Sequence, residues 1–225
     1  MSSSPTGPDK DLVDNIEVRV VIFSLGDNAL QALLARSAQN PAWELPGVTI
    51  QVDQSLEEAA SQCLGHFIGL SEAYLEQLYT YGHPRRDPSQ RLISVVYLAI
   101  LPADTAPLPS AHPQANWFSI ESLPELILDH AEIVGYALRR LRYKLEYTAV
   151  GFELLPENFS LTELQHTYEL ILGEKLDKRN FRRRILQAGV IEPTQQSRSS
   201  EGRPARLYRY RPDAVAEVQA RRLFP

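Results

Sequence analysis

The densest run of side chains able to do chemistry lies between Asp177 and Gly189, where Lys178, Arg179, Asn180, Arg182 and Arg183 are interleaved with Phe181, Ile185 and Leu186. The Asp177 carboxylate can cap a helix N-terminus, and Gly189 can end the helix in the left-handed conformation. Phe181, Ile185 and Leu186, with Ala188 beside them, fall at i, i+4 and i+5 and predict one buried stripe. The cations fall on the other faces, mostly in the N-terminal half. A short helix with an apolar back and a cationic leading end has the chemistry of a DNA recognition helix. Its stripe fixes it to a domain while Arg and Asn reach phosphates and base edges. A merely solvated basic face is the competing reading, and the flanking chain decides between them.

Those flanks supply the elements that must hold such a helix. Ser160-Leu-Thr-Glu163 is a capping box, and its helix runs through Leu164, Tyr168 and Ile171 to Gly173. Thr162, in the first turn, is counted with the DNA-facing residues. After the basic helix, Val190–Pro193 predicts a strand, Gln195–Arg203 a flexible loop and Ala205–Arg211 a return strand. Helix, turn, basic helix and hairpin form the order of a winged helix-turn-helix, over residues 151–225. Arg203 and Arg206 would lie on the wing, against the DNA backbone or in the minor groove.

Charge is distributed accordingly. The 225 residues carry a formal net charge of -5, yet residues 156–225 hold 13 Lys+Arg against 9 Asp+Glu, and the rest hold 10 against 19. Such asymmetry predicts an acidic domain joined to a basic one that meets a polyanion. A single cysteine, Cys63, excludes an internal disulfide framework. No apolar run is long enough to span a membrane, and Met-Ser-Ser-Ser-Pro-Thr-Gly-Pro is no signal peptide, so the expected location is cytoplasmic.

The N-terminal half reads as a disordered arm over residues 1–12, then a first folded domain over 13–128. Ile16–Leu25 and Ala29–Arg36 predict a hairpin, Val48–Val52 a short strand, and Ser55 caps a helix reaching Gly69. Tyr74–Tyr81 and Leu92–Leu101 are strand candidates, and a Pro-rich connection leads to Trp117-Phe118 and a short helix near Leu123. Asp129–Thr148, within a linking segment 129–150, predicts a helix whose Val134, Leu138, Leu141 and Leu145 step by 4, 3 and 4. That seam suits either ordinary packing on its own domain or a dimer.

Leu45-Pro-Gly47, Ser55-Leu-Glu-Glu-Ala-Ala60 and Gly69-Leu70 together resemble the Nudix box, in which a glycine turn leads into a helix whose carboxylates hold the divalent metal that cleaves a diphosphate. Aligned on Ser55–Ala60 and Gly69-Leu70, the first Gly of the box becomes Val48 and its first Glu becomes Gln54. Its Arg-Glu pair becomes Gln62-Cys63, and its two metal-binding Glu positions become His66 and Phe67. Mg²⁺ needs hard anionic oxygens, which this set lacks. Without the metal nothing neutralises phosphate charge or activates water. The chain is therefore expected to be no enzyme and to need no metal or cofactor. A surviving cleft can still bind a nucleotide, with Arg36, Arg86 and Arg91 as candidate phosphate contacts and Trp43, Trp117 or Phe118 able to stack a base.

A degenerate Nudix domain followed by this winged helix resembles the NrtR family, the Nudix-related transcriptional regulators of NAD metabolism. The likeness runs from about Ile16 to Tyr210. It is most specific in Asp129-His-Ala-Glu-Ile133, Lys144-Leu-Glu-Tyr-Thr148, Phe159-Ser-Leu-Thr-Glu-Leu164, Leu176-Asp-Lys-Arg-Asn-Phe-Arg-Arg183 and Gly202-Arg-Pro-Ala-Arg-Leu-Tyr208. Arg86-Asp87-Pro88 also resembles the family's loop near its ligand cleft.

The resemblance implies an α+β chain, with an α/β/α sandwich on a mixed sheet ahead of the winged helix. It further implies a homodimeric repressor on a palindromic double-stranded operator, released by ADP-ribose or a related NAD-derived nucleotide. Two other readings compete. One is a residual Nudix hydrolase of ADP-ribose or a related nucleoside diphosphate, using Glu57, Glu58 or His66. The other is a nucleotide-sensing adaptor whose basic domain binds RNA or an acidic protein.

Overall fold

The computed structural model describes residues 12–26, 28–36, 41–70, 73–104, 114–147, 149–198 and 204–214. Residues 1–11 of the expected N-terminal arm, most of the Pro-rich connection and Arg203 lie outside these residues, and Leu12, expected in the arm, is strand.

One strand organises the N-terminal domain. β1 (Leu12–Gly26) pairs antiparallel with β2 (Ala29–Arg36) near its end and with β4 (Gly47–Gln51) near its start, and parallel with β6 (Ile93–Ile100) along its length. β3 (Trp43–Glu44) and β7 (Ala115–Ser119) join β2, and β5 (Tyr74–Tyr81) joins β6. β1 starts four residues before the expected Ile16 because Leu12 pairs with Gln51 across an irregularity, where Asn15 takes a left-handed φ of 65°.

Successive side chains of a strand face opposite ways. Val18, Val20 and Ile22 meet α1 (Leu56–Ile68) on one face, and Val21 and Phe23 meet α2 (His130–Tyr147) on the other. The expected sandwich with a mixed sheet results. α1 begins at the Ser55–Glu58 capping box and ends at Gly69, whose φ is 71°. The predicted short helix near Leu123 is absent among the described residues. There the chain is drawn out along β3 instead, with Leu126 bridging Trp43 and the Ile127 N–H donating to the Trp43 carbonyl at 3.0 Å.

The Val134, Leu141 and Leu145 stripe of α2 is buried in this chain's own core, with Leu138 partly buried beside it. That core continues without a break into the C-terminal domain. It takes in the 3-10 turn Val150–Leu154, then Phe159 on β8 (Phe159–Ser160), Tyr168 on α3 (Leu161–Leu172), Phe181 and Ile185 on α4 (Lys178–Ala188), and Ile191 on β9 (Ile191–Arg198). β10 (Ala205–Tyr210) lies between β8 and β9, completing a winged helix. The expected loop from Gln195 is strand as far as Arg198, which pairs with Ala205.

The joint between the two halves is tight. A Cβ on Gly151 would lie 2.7 Å from Leu145 Cδ2 and 3.0 Å from Tyr168 Cε2, and both of those side chains are fully buried. Gly151→Ala is expected to lower stability in urea titrations by about 1–3 kcal/mol, the usual cost of overpacking. An unchanged midpoint would show that the joint gives freely.

Candidate nucleic-acid interface and ligand cleft

Local chemistry sets both helices of the C-terminal domain. In α3 the Glu163 N–H donates to Ser160 Oγ at 3.2 Å and the Ser160 N–H donates to Glu163 Oε2 at 2.7 Å. In α4 the Asn180 N–H donates to Asp177 Oδ1 at 2.8 Å, and Gly189 closes the helix at φ 67°. Phe181 and Ile185 are buried, with the Phe181 ring edge-on to Tyr168 at 5.5 Å. Leu186 is not part of this stripe, contrary to expectation. At 100° per residue it lies about 140° round from Phe181, and it is 50% exposed.

The polar face divides by role. Lys178, Arg179 and Arg183 are exposed. Arg183 Nη2 donates to Asn180 Oδ1 at 2.8 Å, which leaves the Asn180 amide as a free-standing donor group on the same face. Arg182 is half-buried and braces α4 against α3, donating from Nη2 to Thr162 Oγ1 at 3.1 Å. Its Nε is buried without a hydrogen-bond partner. Arg206 stands exposed at the root of the wing opposite Ser197, its guanidinium 5.9 Å from the Tyr208 ring. Arg198, which sequence reasoning placed in a loop, forms an ion pair with the capping-box carboxylate of Glu163 and so ties the wing to α3. The free oxygen of a capping-box Glu was the available signal for that tie.

In the N-terminal domain a cleft of about 270 Å³ opens beside β1, lined by Glu17, Arg19, Arg36, Glu44, His66 and Phe67 among others. Arg19 is its electrostatic centre and was missed in the sequence, where it reads as one polar residue in an apolar strand. It contacts Glu17 at 2.8 Å and Glu44 at 2.8 Å, and donates to the Leu45 carbonyl at 2.7 Å. Burial disfavours its charge, but the two carboxylates more than offset this and hold its pKa above the ordinary value.

A divalent metal does not fit this donor set. Both cleft carboxylates are paired with Arg19, and α1 offers the cleft only His66 and Phe67. Gln54 Nε2 donates to Gln62 Oε1 at 2.7 Å, Glu58 is engaged in the capping box, and Glu57 accepts from the Tyr97 hydroxyl at 3.2 Å. Burial pushes the Cys63 thiol up to about 12, so it stays protonated at neutral pH. Among the described residues, no group of three or more His, Cys, Asp or Glu could hold an ion.

The predicted ligand residues separate into two sets. Arg36, Trp43 and Phe118 come together: the Arg36 guanidinium lies 4.0 Å above the Trp43 ring, and Trp43 meets Phe118 edge-on at 4.7 Å. Arg86 and Arg91 lie elsewhere. The Arg86 side chain is 3% exposed, gripping both carboxylate oxygens of Asp129 at 2.6 and 3.0 Å and donating to the Tyr81 carbonyl and Ser94 hydroxyl. It touches the cleft only indirectly, since Ser94 donates in turn to Glu17. Arg91 is exposed and donates to the Gly82 carbonyl at 2.7 Å.

The cleft wall is strapped to the start of α2. Besides the bond from Ile127 to Trp43, the Leu45 N–H donates to His130 Nδ1 at 3.1 Å. His130 is fully buried, its Nε2 has no partner, and burial together with the nearby Arg19 charge pushes its pKa down to about 3. Below the unfolded value near 6.5 the unfolded chain takes up a proton that the folded chain refuses, so stability falls with pH between about 6.5 and 3. The slope of wild-type unfolding free energy from roughly pH 6 to 4.5 should exceed that of His130→Gln by up to about 1.4 kcal/mol per pH unit. Parallel profiles would contradict the neutral, buried assignment.

Comparison with known proteins agrees with this geometry. A family model described as NUDIX domain matches residues 15–141, and one described as NrtR DNA-binding winged helix domain matches residues 151–210. The chain is 38% identical over 201 residues to the ADPR responsive transcriptional repressor NtrR of Acinetobacter baylyi, covering 86% of this chain and 80% of that protein. It is similar to the crystal structure of Shewanella oneidensis NrtR complexed with a 27mer DNA, with a TM-score of 0.81 and 31% identity over 93% of this chain and 97% of that one. A shorter likeness, 28% over 110 residues, links it to an ADP-ribose pyrophosphatase of Methanocaldococcus jannaschii, covering 48% of this chain and 65% of that protein.

Proposed function

This chain belongs to the NrtR family of Nudix-related transcriptional regulators, and on that premise we propose that it is an ADP-ribose-responsive repressor of NAD metabolism genes. The observation that carries the reading is a cationic helix, α4, rooted in the core that α2 closes, together with a charged cleft whose wall is strapped to the start of α2. α4 enters the major groove with Lys178, Arg179, Asn180 and Arg183, Arg182 sets its angle against Thr162, and Arg203 and Arg206 meet the backbone from the wing. The functional unit is a homodimer reading two half-sites of a palindrome about one DNA turn apart.

ADP-ribose binds in the N-terminal cleft, where Arg36 and Arg19 are the cations in reach of a diphosphate. The cleft binds without cleaving, because the two carboxylates it presents are held by Arg19. A diphosphate competing for Arg19 loosens its grip on Glu44 and the Leu45 carbonyl, and the strap through Leu45 and His130 passes that change to α2. Release of the operator requires the ligand to bind the altered arrangement better than the DNA-competent one.

Titration of the full-length chain onto the duplex upstream of its own gene tests this directly. Binding should be sequence-selective, fall steeply with added salt and weaken with ADP-ribose. Equal affinity for any duplex would favour the adaptor reading, and steady turnover of ADP-ribose with Mg²⁺ would revive the hydrolase. Arg183→Glu should reduce operator affinity by roughly 10- to 100-fold, in line with loss of a base or phosphate contact. Unchanged affinity would remove α4 from the interface.

A further inference from the structure

Leu186 is out of place for a helix that needs only to be anchored. The apolar back of α4 is already complete in Phe181 and Ile185, with Ala188 packed beside them. Leu186 points away from it and leaves half its surface in water. On a helix, residues three, four and seven positions apart share a face. Leu186 therefore stands in line with Arg179, Arg182 and Arg183 on the cationic side of α4. The helix is intact to this point, since the Gly189 N–H donates to the Leu186 carbonyl at 3.4 Å to form the cap. The residue sits on that face roughly 10 Å along the axis from Arg179, at about 1.5 Å per residue.

Surrounding charge narrows what can cover such a residue. A protein partner meeting Leu186 would have to bury or neutralise the guanidiniums beside it. Duplex DNA meets both demands at once. Its phosphates and guanine edges suit the arginines, and the thymine 5-methyl is the apolar group that base pairs display at the major-groove edge.

We propose that Leu186 is a specificity-determining residue that packs on a thymine methyl group in each half-site. The inference rests on the DNA-binding reading above and adds to it a base, a side chain and a type of contact. Arg179 and Arg183 then fix position and guanine contacts, while Leu186 selects thymine through shape and desolvation alone.

The test separates this contact from DNA binding in general. A duplex is selected from a random library with the full-length chain, then resynthesised with deoxyuridine in place of thymidine at one position at a time. This deletes only the methyl group. For the wild type, one or two positions in each half-site should lose about fourfold in affinity, the value of one buried methyl-sized group. Leu186→Ala removes the contact from both half-sites, so it should bind the thymine duplex about as weakly as the wild type binds a duplex carrying uracil at both symmetry-related positions, and should show no further loss at those positions. Its salt dependence should match the wild type, because no phosphate contact is removed. Leu186 is solvent-facing, so melting of the variant should be nearly unchanged.

A uracil scan without effect at any position overturns the proposal, as does a methyl effect that persists undiminished in Leu186→Ala. Failure to select any duplex is a different result: it overturns the DNA-binding reading itself and takes this inference with it.

Discussion

The structure depends on one buried stripe of α2 serving both domains at once. Its Ile133, Val134, Ala137, Leu141 and Leu145 close the core beneath the sheet, and the same cluster runs on through Phe152, Phe159 and Tyr168 to the back of α4. Interiors packed at this density transmit displacements rather than absorbing them. Gly151 is required where α2 meets the winged helix, since no room remains for a Cβ between Leu145 and Tyr168. The two domains are thus distinct in sequence pattern but share one core.

Electrostatics give that core something to respond to. A chain of charged and polar side chains crosses the N-terminal domain, from Asp129 through Arg86, Ser94 and Glu17 to Arg19 and Glu44. One end lies in the cleft, and the other is Asp129, whose carbonyl accepts the Ile133 N–H in the first turn of α2. Buried networks of this kind are costly to leave half-satisfied. A change of partner at Arg19 therefore bears on Arg86 and Asp129 as well as on the strap at Leu45 and His130. A separate grip, Lys144 and Arg140 on Glu76, holds the later turns of α2 to β5.

Much of this was legible in the sequence where local chemistry decides the outcome. Ser55 and Ser160 with their partner glutamates start helices, Gly69, Gly173 and Gly189 end them, and the strands fall close to their expected places. Long-range pairing was not legible. An arginine poised for phosphate and one locked to a carboxylate look alike in sequence, and the partner of Arg86 lies 43 residues away. The outer half of β9 is exposed on both faces, so Gln195–Arg198 carry no alternation to mark them as strand. Leu186 was misplaced because a five-residue step reads as helical spacing yet carries the side chain well round from Phe181.

If cleft and recognition helix are coupled through the shared core, the coupling must run equally in both directions. The most direct measurement is the affinity of the full-length chain for ADP-ribose, by calorimetry, in the absence and presence of saturating operator duplex. The account predicts weaker ADP-ribose binding on DNA, by the same factor by which ADP-ribose weakens the operator. Equal ADP-ribose affinity in the two states would contradict it, leaving two binding sites on one core with no communication between them.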